Sequence, residues 1–391
     1  MFVSTKVKVK ERLFLTPEGE IRETKSPMVI GVSVLFAVLV LIGLANLYSA
    51  SIGTGFFTTQ IKSAALGLIL FVFCGWFLPL RYLNSNAYWI YAIVCLMLLI
   101  VDLTGHTAGG SQRWLSIGPL KGQPSEFAKV AMAVMIARFF YMNRQPFAYR
   151  LRDLWPLITM AGIAFALIFK QPDLGTAGVC ILIAVCQIGF VRVDSRSILI
   201  VASACVAVAI VGWFAFLHDY QKQRVLTLLN PQLDPYGTGY HALQSLVAIG
   251  SGKLMGKGFM DGSQTQLQFL PARHTDFIFS VFSEEHGFWG CVVVFILFGG
   301  LVYLGLEIAR RAKDTFTGLL AIGITALMFI ELVVNVAMVL GMFPVVGVPL
   351  PFFSFGGSSF ITCSAALGVL IAIERETLGQ AKVNQTLLKG K

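Results

Sequence analysis

Few residues in this 391-residue chain could do chemistry, and they stand at the edges of apolar runs. Asp276 lies in Arg273-His274-Thr275-Asp276-Phe277, just ahead of a long apolar stretch. A carboxylate beside a guanidinium there suits a general base or an acid close to a phosphate. An aspartate in a first helical turn is equally a cap. On helical spacing Ser280, Ser283 and Gly287 share its face, and Glu284 lies about 80° round from it. Glu126 and Lys129 stand one turn apart after Gln123-Pro124-Ser125. They read as an internal ion pair on a capped helix, or as a lysine ammonium presented to a phosphate and held by its glutamate. Arg113-Trp114 reads as an interfacial anchor or as a bidentate phosphate contact. Asp102, Arg138, Asp173, Glu285 and Glu331 complete the ionisable groups in or near apolar runs, where each costs a few kcal/mol and is a functional suspect. Glu331 and Asn335, four residues apart, form either a structural polar pair or the lining of a cavity.

Other chemistries find no support. Gly250-Ser251-Gly252 and Gly256-Lys257-Gly258 could cradle phosphates, but neither follows a strand and there is no GxxxxGK[ST], so they are not a nucleotide site. The seven cysteines are odd in number, lie in apolar runs and form no CxxC, which argues against a disulfide framework and a metal site. The five histidines form no HxxxH, so no zinc site is expected.

The elements that must position these residues follow from composition. The chain is 56% hydrophobic and 13% charged, where a soluble domain carries roughly 25% charged residues. Apolar runs near 27–50, 61–80, 88–104, 125–142, 154–170, 174–191, 197–217, 277–306, 316–342 and 358–373 approach the bilayer span of about 20 residues. With the N-terminus inside, nineteen Lys and Arg fall in inner segments and seven in outer loops, as the positive-inside rule requires. The formal charge of +10 then marks loops facing anionic membrane lipids, and nucleic acid is not expected. The expected fold is all-α: a polytopic integral membrane protein of about ten transmembrane helices with cytoplasmic N- and C-termini. A cytoplasmic arm (1–26), one ten-helix domain (27–373) and a cytoplasmic tail (374–391) make up the chain. The first 26 residues are polar, so a signal peptide is not expected.

The outer face carries the elaborate loops: 105–124, 343–357 and a long one, 218–276, between helices 7 and 8. A loop near sixty residues is uncommon without function. Its apolar stretch from Tyr240 to Ile249 is too short to span and suits a helix in the interface or re-entering it. Gln171-Pro172-Asp173 reads as a tight turn, with the proline able to begin the next helix. The run from Pro349 to Ser359 breaks the helix before the last span, and such backbone must be buried in protein or line a cavity. From the residues alone, an anionic ligand with apolar parts in the bilayer is expected, and enzyme and transporter stay open.

Four segments together resemble the SEDS family (shape, elongation, division and sporulation). They are Arg113-Trp114-Leu115 through Gln123-Pro124-Ser125-Glu126-Phe127-Ala128-Lys129; Gln171-Pro172-Asp173-Leu174-Gly175-Thr176; Gln244-Ser245-Leu246 through Phe269-Leu270-Pro271-Ala272-Arg273-His274-Thr275-Asp276-Phe277; and Gly347-Val348-Pro349-Leu350-Pro351-Phe352 through Gly356-Gly357-Ser358-Ser359. They occur in family order and cover essentially the whole chain. Gln264-Thr265-Gln266-Leu267 is similar to the elongation-type members. Ala272 departs from the family, where glutamate is usual, and so does His286, where leucine is more typical.

The resemblance implies a bacterial inner-membrane peptidoglycan glycosyltransferase that polymerises lipid II during elongation and maintenance of rod shape, its site facing outward. Asp276 matches the family's essential aspartate. It would deprotonate the acceptor hydroxyl, with inversion at the donor carbon and undecaprenyl pyrophosphate leaving. Arg113, Lys129 and Arg273 would stabilise the leaving phosphates. Glu126, Trp114, His274, Thr275 and Ser358 join them as substrate-binding candidates. The partner implied is a class B penicillin-binding protein, a transpeptidase. A divalent cation (Mg or Mn) stays open as a cofactor, with no ligand cluster to hold it. A lipid II flippase would use the same cationic cavity but needs charged groups on both sides; a scaffold would leave Lys129 unexplained.

Overall fold

The computed structural model describes residues 26–104, 106–108, 111–117, 120–215, 222–223, 226–228, 238–267, 269–270 and 272–389. The polar arm up to residue 25 and much of the loop after residue 215, His218 included, lie outside the described residues.

Each of the ten apolar runs carries a helix. The helices are α1 (Pro27–Ala50), α2 (Phe56–Trp76), the short α3 (Leu80–Ser85), α4 (Ala87–Thr104), α5 (Pro124–Met142), α6 (Leu151–Lys170), α7 (Leu174–Gly189) and α8 (Ser195–Ala215). There follow α9 (Thr238–Gly252), α10 (Ser263–Gln266), α11 (Ile278–Arg311), α12 (Thr315–Val339) and α13 (Gly357–Lys389). Seven of them are long and apolar enough to cross a membrane, and two further apolar helices, Ala87–Leu103 and Leu174–Gly189, are shorter. Helix α5 has the length but carries Glu126, Lys129 and Arg138. The short helix expected near 240–249 is α9, which packs on α11.

Two features add to this helical architecture. After α4 come β1 (His106–Ala108), β2 (Ser111–Ile117) and β3 (Leu120–Gly122), a small antiparallel sheet in the order β1-β2-β3. Two of these strands have three residues, too few to show alternation. The last helix runs on to Lys389.

Local chemistry sets the helix ends. Ser26 caps α1 by accepting from the Met28 N–H, with Pro27 in the first turn. Asp314 and Thr317 form a reciprocal capping box on α12. Pro172 does not begin α7: Asp173 is its N-cap, accepting from the Thr176 N–H at 3.3 Å.

Helices α12 and α13 are enclosed for most of their length, whereas the apolar window of α8 has no buried residue. Helix α5 packs between α4, α7 and α12, and α2 lies along α13. Peripheral helices turn leucines, valines and phenylalanines outward, among them Leu41, Ile69, Leu199 and Phe214. Such a surface fits lipid and would be costly in water.

Helix α11 bends at Gly287, where φ is 64° and ψ −163°. The loop after α9 lies against this bend. Lys257 N–H donates to the Glu284 carbonyl and Gly258 N–H to that of Glu285, both at 3.0 Å. A side chain at Gly287 would overlap the Gly256 backbone. The two glycine-rich motifs therefore let backbone approach backbone at a kink.

Candidate active site at the convergence of four loop segments

Asp276 lies in turns ahead of α11, which begins at Ile278 with Phe277 as N-cap. It therefore stands one residue ahead of the N-cap position. Ser280 and Ser283 do not extend its face either. Ser280 exchanges a 2.8 Å hydrogen bond with Ser245 of α9, and Ser283 donates to the Phe279 carbonyl at 2.7 Å. Both are buried.

The broken-helix segment 343–356 holds the Asp276 turn from one side. Ser354 Oγ donates to the Thr275 carbonyl at 2.7 Å and accepts from the Leu350 N–H at 2.8 Å. Phe355 N–H donates to the His274 carbonyl at 2.8 Å. Asn335 Nδ2 donates to the backbone carbonyls of Asp276 at 3.0 Å and Val348 at 2.8 Å, joining the two segments from α12. A Cβ built on Gly347 would lie 3.7 Å from Asp276 Oδ2, so the carboxylate stands beside this glycine. Gly43 of α1 lets the Phe352 carbonyl approach where a side chain would overlap it.

Arg273 and His274 are fastened on the other side. Arg273 Nε donates to the Ala50 carbonyl at 2.9 Å, and burial lowers its pKa. His274 stacks on Phe56, with centroids 4.2 Å apart. Burial, then the charge of Arg273, hold it below the ordinary histidine value. Thr275 Oγ1 donates to the Ala272 carbonyl at 3.3 Å.

The remaining motif segments join through Gln123 and Ser358. Gln123 N–H donates to Ser358 Oγ at 3.0 Å, and its Nε2 donates to Ser125 Oγ at 3.0 Å and Asp173 Oδ2 at 3.1 Å. Arg113 reaches Asp173 from β2: Nε donates to the Gln171 carbonyl at 3.1 Å, Nη2 to that of Pro172, and Nη1 lies 3.7 Å from Asp173 Oδ1. Trp114, next in β2, is half-buried, opposite His106 in the ladder. All four segments thus meet at one end of the bundle.

Lys129 sits deeper and is 2% exposed. Its ammonium donates to Glu126 at 2.8 Å and to Glu331 of α12. In this conformation it joins α5 to α12, and meeting a phosphate would require one glutamate to release it. Glu331 and Asn335 are both fully buried and act separately, one on Lys129 and the other on the Asp276 turn. Glu284 is an anchor for the long loop, accepting from Lys257 Nζ at 2.7 Å, the Gln264 N–H at 2.9 Å and Thr265 Oγ1 at 3.0 Å. Asp102 pairs with Lys170 at 2.5 Å.

Two positioning residues escape sequence reasoning. Gln60 of α2 accepts from the Gly356 N–H at 3.2 Å, and Asn46 of α1 donates to the Ile278 carbonyl at 3.1 Å. A lone amide in an apolar run must find a partner; that was the available signal. Among the described residues no group of three or more His, Cys, Asp or Glu could hold a metal ion.

A multi-pass helical bundle with the carboxylates of Asp276 and Asp173 among arginine-bearing loops defines a membrane-embedded polar site. The chain belongs to the FtsW/RodA/SpoVE (SEDS) family: the profile described as "Cell cycle protein" matches residues 26–378. It is 40% identical over 350 residues to the peptidoglycan glycosyltransferase MrdB of Escherichia coli, covering 87% of this chain and 91% of that one. The Helicobacter pylori protein of the same name is 37% identical over 310 residues, covering 78% and 80%. Among solved structures, a chain from a peptidoglycan synthase complex that coordinates polymerization and crosslinking aligns with a TM-score of 0.77 at 30% identity, covering 89% of this chain and 98% of that one. The Thermus thermophilus rod shape determining protein RodA aligns at 0.67 and 28% identity, covering 89% and 96%.

Proposed function

We propose that this chain is a peptidoglycan glycosyltransferase of the elongation type, a multi-pass protein of the bacterial inner membrane that polymerises lipid II. The observation that carries the reading is the linkage of four motif segments, one of them bearing Asp276, into a single cluster, in a chain 40% identical to MrdB.

The residues then take roles. Asp276 accepts the proton of the acceptor hydroxyl as that oxygen attacks the donor's anomeric carbon, and undecaprenyl pyrophosphate leaves with inversion. Pyrophosphate is a stable anion, so one base suffices, unlike the carboxylate pair of glycosidases. Arg273 and Arg113 stabilise the charge growing on the leaving phosphates. His274, Thr275 and Ser358 shape the pocket through the contacts described above, and Trp114 packs near the lipid-linked sugar. Glu126 and Lys129 support that wall from below. In the topology proposed here ten helices cross, both termini are cytoplasmic and the site faces outward, because lysine and arginine concentrate on the opposite side.

The partner proposed is a class B penicillin-binding protein. Tethering a transpeptidase beside the nascent strand raises its effective concentration. The test is glycan synthesis from fluorescent lipid II by the purified complex, wild type against Asp276→Ala, after both are shown to fold and bind the partner alike. Ladders from the wild type alone are expected. Ladders from both would remove Asp276 as the base; none from either would favour lipid translocation.

A further inference from the structure

The end of the bundle opposite Asp276 carries an arginine cluster that the polymerase reading leaves unused. Arg138, one turn before the end of α5, donates from Nη1 to Asn84 Oδ1 of α3 at 2.7 Å. Its guanidinium carbon lies 5.7 Å from the centre of the Tyr141 ring. Arg144 approaches the same ring at 5.5 Å, and Arg81, three residues before Asn84, lies 5.1 Å from the Tyr82 ring. The Tyr88 phenol is within electrostatic reach of Arg138.

Among the described residues none of these three arginines has a carboxylate partner, whereas neighbouring cations do. Arg310 and Arg311 share Glu307, and Lys313 holds Glu376 at 2.5 Å. Arg138 Nε is buried and has no hydrogen-bond acceptor. With Nη1 donating to Asn84, Nε is left without an acceptor, and Nε with Nη2 is the pair that grips a phosphate with two parallel hydrogen bonds. Tyr82, under Arg81, is exposed, and so are Trp89 and Phe147, which lie near these arginines in the chain. Exposed aromatics of this kind sit at headgroup depth.

We propose that this cluster is a binding site for the phosphodiester headgroup of an anionic phospholipid, with Arg138 as bidentate ligand and Arg144 as second cation. A phosphate oxygen satisfies the buried Nε–H, and the acyl chains lie along the exposed apolar faces of α3 and α4. In the topology proposed above the lipid belongs to the cytoplasmic leaflet, and only that assignment rests on the functional reading.

The test is lipid retention by the purified protein, by native mass spectrometry after exchange into detergent with phosphatidylglycerol or phosphatidylcholine. Wild type should retain phosphatidylglycerol in preference to phosphatidylcholine, and Arg138→Gln should weaken that retention roughly tenfold, the scale of one lost charged contact. Arg144→Gln, an exposed position, should give a smaller loss with unchanged thermal unfolding, which separates binding from folding. Equal retention by wild type and the double variant overturns the site. Arg138-dependent binding of inorganic phosphate alone, not strengthened by acyl chains, overturns the lipid as its source. Neither readout involves glycan synthesis, so its failure and that of the polymerase reading are distinguishable.

Discussion

The Asn335 side chain donates one amide to two backbone carbonyls, those of Asp276 at 3.0 Å and Val348 at 2.8 Å. A residue of the enclosed helix α12 thereby sets the spacing between the proposed base and the segment facing it. Replacing Asn335 by Leu removes both bonds and leaves two buried acceptors, a loss of about 2 kcal/mol in stability. Polymerisation should fall further, roughly 10–100-fold, because misplacing a catalytic group by about an ångström costs that much. Thermal unfolding and lipid II turnover on the same preparation separate the effects; unchanged turnover would deny Asn335 its positioning role.

Lys129 stands between Glu126 and Glu331 in the buried centre and pairs with both. Lys129→Met leaves two carboxylates facing each other without a counter-charge and should cost about 3–5 kcal/mol. The double variant with Glu331→Gln should recover part of that loss. Equal unfolding temperatures for the single and double variants would show that the pair does not hold α5 to α12.

His274 makes stability depend on pH. Its folded pKa lies below the ordinary value because of burial and the neighbouring Arg273. Between that depressed value and about 6.5 the unfolded chain binds more protons, so stability rises with pH. The contribution is complete above about 6.5 and declines as the pH falls below it. His274→Phe, which keeps the stack on Phe56, should flatten this slope. A slope that persists in the variant would assign it to another group.

Gly287 carries the bend of α11 at φ 64°, with the Gly256 backbone against it. Gly287→Ala should cost on the order of 1–3 kcal/mol from backbone strain and more from the overlap. The expected result is poor accumulation and a lowered unfolding temperature. A variant that melts like the wild type would argue for a regular helix through this point.

How much could be read in advance differs between fold and site. The ten apolar runs were legible because a bilayer demands long stretches of one composition, and each became a helix. The sheet of 106–108, 111–117 and 120–122 was missed because two of its strands have three residues and the seven-residue one, Ser111–Ile117, has no strict apolar alternation. The proposed base and its motif neighbours were legible as types, since charge at the edge of an apolar run is costly and stands out. Gln60 and Asn46 were not, because a side-chain amide in an apolar run does not say which distant carbonyl it will meet.

Composition and spacing by themselves determined a membrane bundle with its polar specialisations gathered at one end. Tertiary structure alone decided what each polar group does there. Glu284 became a loop anchor, Lys129 an interhelical bond and Asn335 a support for Asp276, through partners such as Ser358 with Gln123 that lie 235 residues apart. Hydrogen bonds and ion pairs form over about 3 Å, and only the folded chain brings such distant residues within that reach.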